Sequence, residues 1–170
     1  MRLKRKQRLP AQIERYAGLE PGERTLAFAV DDNTGAHVIA TTTHLVVATD
    51  EVTVLRRPWH DVDSGVWSSD HWTLTVSWVT RERPVQWTFK EQEMRIPETI
   101  HERVQASVVL SEALPLEGRR RSGRVVVRKD LATGELLTQT VLGRGTPADD
   151  PEVRAAVAYL TAYLREQVGL

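Results

Sequence analysis

The chain has 170 residues, 41% of them apolar, and its 23 basic and 23 acidic side chains leave a formal net charge of zero. That is enough apolar material for one core, while the charge balance excludes a long-range pull of the whole molecule on nucleic acid or anionic lipid. Cysteine is absent, which removes disulfides, thiolate nucleophiles and Cys-ligated zinc together.

In chain order, residues 1–24 read as a basic N-terminal segment. Arg2, Lys4, Arg5, Lys6 and Arg8 precede the first acid, Glu14. No apolar stretch follows this charged start, and nowhere do ~20 apolar residues run together, so neither a secretory signal nor a membrane span is expected and the expected location is cytoplasmic. Leu9, Ile13 and Tyr16 fall at helical spacing and predict a short helix docked on the body. Pro21-Gly22 marks a turn. Strand grammar begins at Thr25. "TLAFAV", "AHVIATTT", "HLVVAT" and "VTVLRR" are separated by turn residues at "DDNTG" and Asp50-Glu51, and Pro58 closes the series. In "HWTLTVSWV", Trp72, Leu74, Val76 and Trp78 alternate with Thr73, Thr75 and Ser77, a period of two. "VQWTF" returns after "TRERP". A turn centred between Glu82 and Arg83 would set Trp78 opposite Trp87 and Val76 opposite Phe89.

The period then changes. Ile96, Ile100, Val104 and Val108 recur every fourth residue, with Pro97 and Glu98 suited to a first helical turn. A helix over about 96–112 is predicted. Beyond Pro115, "GRVVVRKD" and "ELLTQTVLG" predict a hairpin around Thr133-Gly134. Asp150 stands as an N-cap before Pro151, and Val153, Ala156, Val157, Leu160, Leu164 and Val168 line one face of a last amphipathic helix. The expected fold class is α+β: an antiparallel β-sandwich or partly open barrel plugged by the 96–112 helix, then the hairpin and helix of 115–170 packed on the body.

The stretches "ATTTHLVVAT", "RPWHDVDSGVW" and "IPETIHERVQASVVL" together resemble bacterial pleckstrin-homology-like (PH-like), GRAM-type domains, over roughly residues 25–114. His44 stands where the common pattern has a basic residue before Leu. The first hairpin loop, "DDNTGAH", is acidic and would repel a phosphate. What the resemblance implies is therefore a binding or scaffolding module without chemistry of its own.

The residues agree on that point. "RRPWHDVDSGVWSSDHW" offers His60, Asp61, Asp63, Asp70 and His71 as ligand types for zinc or manganese. On a strand, however, His60 points away from Asp61 and Asp63, and Asp70-His71 sits in a turn. A metal-dependent enzyme at His60, Asp63 and His71 requires those three to converge. No nucleophile elbow or Walker lysine is present, and no cofactor is implied. His101-Glu102 reads as a solvated helix face. Ser64-Gly65 reads as a bulge. The expected function is protein–protein interaction or self-association. Trp59, expected to be exposed beside Arg56 and Arg57, is the candidate binding residue. The basic run Arg119, Arg120 and Arg121 supplies a second candidate patch, either a solvated loop or, with the N-terminal segment, a contact to anionic lipid. Aspartates around Trp67 and Trp72 argue against nucleic acid.

Overall fold

The computed structural model describes residues 8–92 and 95–170. Among these the chain forms three antiparallel sheets and three α-helices, an α+β fold whose strands do not close into a barrel. Helix α1 (Ala11–Ala17) ends where Gly18 takes a left-handed φ of 62°. Strands β1 (Thr25–Val30), β2 (His37–Thr41), β3 (His44–Ala48) and β4 (Thr53–Pro58) form the first sheet in that order. A single 3-10 turn, Trp59–Asp61, leads into β5 (Val62–Ser68), β6 (Thr73–Trp78) and β7 (Val85–Thr88), the second sheet.

The two sheets and helix α2 (Ile96–Ser107) enclose the main core. Val38, Ala40, Leu45 and Val47 meet Leu74, Val76, Trp87, Ile96 and Ile100 there. In β1 the small residues Ala27 and Ala29 face this core. The larger Phe28 faces outward, where α1 covers it with Ile13 and Tyr16. The N-terminal helix thus gives the first sheet a second buried face, as the spacing of Leu9, Ile13 and Tyr16 predicts. The bulge expected at Ser64-Gly65 falls one residue earlier, at Asp63, where the register shifts between Val62 and Ser64, while Ser64 and Gly65 pair regularly with Ser77 and Val76. Gly65 is needed beside it, because a Cβ there would stand 2.9 Å from Ile100 Cγ2 on α2.

Three expectations are corrected. The β6–β7 pairing sets Leu74 opposite Trp87 and Val76 opposite Val85, not Trp78 opposite Trp87. The connection is longer than a tight hairpin, and because the slip is an even number of residues the same side chains still face the core. Trp72 does not extend the β6 alternation: it takes a φ of 55° in the turn and is 39% exposed. The helix predicted over 96–112 stops at Ser107, and Val108–Ala113 is strand β8. Val108 turns extended at the helix end, where β-branched side chains favour a strand, and β8 pairs with β9 (Gly123–Lys129).

With β10 (Leu136–Leu142), these strands make the third sheet, in the order β10-β9-β8. Helix α3 (Pro151–Gln167) packs on it through Leu160 and Leu164. Asp150 caps α3 by accepting from the Glu152 and Val153 backbone N–H groups, as expected from its place before Pro151. None of the described helices is long and apolar enough to cross a membrane.

Candidate functional site

Trp59 is buried, with no exposed surface, and its indole N–H donates to the Thr41 carbonyl at 3.0 Å. This corrects the expectation of exposure. Pro58 ends β4 and the 3-10 turn folds the ring inward, so it plugs the main core.

Its two arginine neighbours are held within the chain. Arg56 grips Glu23 with both guanidinium nitrogens, at 2.6 and 3.3 Å. The Glu23 side chain is 2% exposed. It also accepts from the Thr41 hydroxyl and from the Glu20 backbone N–H at 2.9 Å. Burial alone would raise the Glu23 pKa. The Arg56, Glu20 and Thr41 hydrogen bonds outweigh that and bring it to about 2, from an ordinary 4.5. His44 lies beside this pair, and its pKa is lowered, first by burial and then by Arg56. The cluster ties residues 19–24 to β3 and β4.

A folded-state pKa below the unfolded one stabilises the protein above pH 4.5, and the contribution is lost as pH falls toward 2. The expected loss across that window is about 3 kcal/mol. Urea unfolding at pH 5, 4 and 3 checks it against Glu23→Gln: the two stability curves should lie apart at pH 5 and converge toward pH 2.5. Parallel curves would remove Glu23 as the cause.

Arg128 is not among the expected site residues. It is 2% exposed and lies where the body meets the third sheet. Its guanidinium donates to the carbonyls of Trp59 and Val62, at 2.6 and 2.9 Å, and to the Ser107 hydroxyl at 2.9 Å. All three acceptors are neutral. Burial lowers the Arg128 pKa, with Asp63 acting in the opposite direction. A signal existed in "RVVVRK". Three buried valines in a row mean that β9 is covered on both faces, and Arg128 shares a face with Val126.

His60, Asp63 and His71 do not come together. His60 sits in the 3-10 turn beside Asp61, Asp63 pairs with Arg124, and His71 accepts or donates at Ser68 Oγ, 3.0 Å away, in the far turn of the β5–β6 hairpin. Among the described residues no three His, Asp or Glu side chains are grouped to hold a metal ion. In the basic run, Arg121 reaches Asp150 at 2.7 Å and also Glu152, while Arg119 and Arg120 are exposed. Arg2, Lys4, Arg5 and Lys6 lie outside the described residues.

A cleft lies elsewhere. It measures about 1220 Å³ and separates the β6–β7 connection from β10, the following loop and α3. Its floor is apolar, with Trp78, Val79, Pro84, Val141, Val153 and Val157. Arg81 spans it, donating to the Thr146 carbonyl at 2.8 Å, so the two walls are tied to each other. Its three carboxylates are held by two arginines. Arg57 pairs with Glu82 and with Asp61, 3.6 Å away, while its guanidinium lies 5.0 Å from the centre of the Trp78 ring; Arg124 pairs with Asp63. Arg144 and Arg154 are exposed at the cleft and have no carboxylate partner among the described residues. The site is apolar beneath and positive at its rim. Sequence reasoning missed it because its walls come from segments some 60 residues apart. The chain matches no protein-family model, no curated protein and no solved structure.

Proposed function

We propose that this chain is a non-catalytic binding module of PH-like build, and that a protein partner seats in the cleft between β6–β7 and the third sheet. The cleft carries the reading: a wide, open, apolar floor suits a partner's side chains better than a small enclosed ligand. Four strands, then three, then helix α2 support the PH-like part. Every carboxylate lining the cleft is held by an arginine, and none of its described lining residues is a histidine, so a poised general base has no place in this reading.

The test is co-purification with light scattering, on the full chain and on Ala158→Trp, which fills the cleft from its α3 side. A stoichiometric partner kept by the parent and lost from A158W is the expected result. The same partner retained by both, or a bare monomer from the parent, would overturn it.

Self-association is the second reading, favoured by the outer face of α3, where Tyr159 is 68% exposed and Tyr163 44%. A defined homodimer that persists in A158W is its signature. Association with anionic lipid is a further reading: the exposed Arg119 and Arg120 would contribute roughly 1 kcal/mol each at such a surface, and the basic residues of the N-terminal segment would add to them.

A further inference from the structure

We infer that the cleft takes an extended acidic peptide segment, one with apolar and carboxylate side chains interspersed, laid along the free edge of β10. This rests on the cleft being the binding site. Two independent features point to the occupant.

The first is charge. Three acids line the cleft and are held by two arginines, Arg57 on both Asp61 and Glu82 and Arg124 on Asp63, whereas Arg81, Arg144 and Arg154 have no carboxylate partner among the described residues, Arg81 donating to the Thr146 carbonyl. The surplus is positive and sits above an apolar floor. An acidic segment supplies the missing charge, and carboxylate–guanidinium pairing gives it a fixed orientation. A basic segment would meet two like charges and find its complementary acids occupied.

The second is the backbone. β10 is an edge strand, hydrogen-bonded to β9 on one side only, and its residues Gln139–Leu142 line the cleft. An edge strand presents main-chain donors and acceptors at strand spacing, and an extended peptide can add to it. A small amphiphile such as a fatty acid satisfies the apolar floor and one arginine but cannot use that edge. Side chains alternate along an added strand, so apolar residues reach Trp78 and Val157 while acidic ones stay at the rim near Arg144 and Arg154.

A random octapeptide display library panned on the full chain tests this, followed by anisotropy titration of the selected peptides. Three proteins are compared: the parent, A158W, and the double variant R144E/R154E. Both arginines are exposed, so the double variant should melt with the parent. Selection of peptides rich in Asp or Glu and in apolar residues is expected. Binding should be at least tenfold weaker to R144E/R154E and absent from A158W. Neutral or basic peptides that A158W blocks and R144E/R154E leaves unchanged would keep the cleft and overturn the acidic occupant. No enrichment, or binding that survives in A158W, would overturn both. Decanoate is titrated alongside; arginine-dependent binding of decanoate with no peptide selected would assign the cleft to a small anionic amphiphile and overturn the peptide.

Discussion

Arg128→Ala is expected to lower the unfolding free energy by about 2–4 kcal/mol, because a buried acceptor that loses its donor costs about 1–3 kcal/mol. The side chain donates to Trp59 O, Val62 O and Ser107 Oγ at once. Removing it takes the guanidinium from the Val62 carbonyl and the Ser107 hydroxyl, leaves the Trp59 carbonyl with only the Val62 backbone N–H, and opens a cavity at the seam. Those acceptors come from the 3-10 turn, the start of β5 and the end of α2, while Arg128 itself lies on β9. One residue therefore joins the 3-10 turn, the second sheet and helix α2 to the third sheet. Arg128→Lys keeps the charge but cannot serve three acceptors with a planar fork, and should recover only part of the loss. Equilibrium urea unfolding followed by tryptophan fluorescence measures all three proteins. A loss below 1 kcal/mol for R128A would mean that other contacts hold the seam.

Trp59→Ala carries a comparable effect. A fully buried indole removed from a packed core costs about 3–5 kcal/mol, which for a chain of this size lowers Tm by something on the order of 10 °C. An exposed tryptophan at a binding surface would cost roughly 0.5 kcal/mol or less in stability and would instead weaken partner capture. Thermal melts of W59A beside the co-purification test separate the two. A melt unchanged from the parent would return Trp59 to the surface.

Much of the fold is legible from local pattern. Alternation located the β1–β7 strands, and Asp150-Pro151 with the Val153-to-Leu164 stripe located α3, because side-chain period and capping are properties of a few adjacent residues. The errors fall where distant segments compete. Ile96 to Val108 has helical spacing throughout, yet Val108 onward pairs with β9 because β-branched side chains and ladder hydrogen bonds outweigh one more helical turn. The β6–β7 register came out four residues from the expected one, since loop length, not the alternation, sets it.

The site residues divide the same way. Composition by itself determined that cysteine chemistry and disulfides are absent, and periodicity determined which faces are apolar. Only the tertiary structure decided what the charged residues do. Arg56 next to Arg57 reads as a basic patch, yet one grips Glu23 and the other Glu82. Trp59 follows a proline and reads as exposed, yet it is core. Arg128 looks like the polar end of a strand, yet it is sealed in a seam. Arg144 and Arg154, unremarked in the sequence, stand exposed at the cleft with no carboxylate partner among the described residues. A charge is neutralised, buried or left free according to which partner the fold brings within a few ångströms. That pairing joins residues dozens of positions apart, so no local window of sequence contains it.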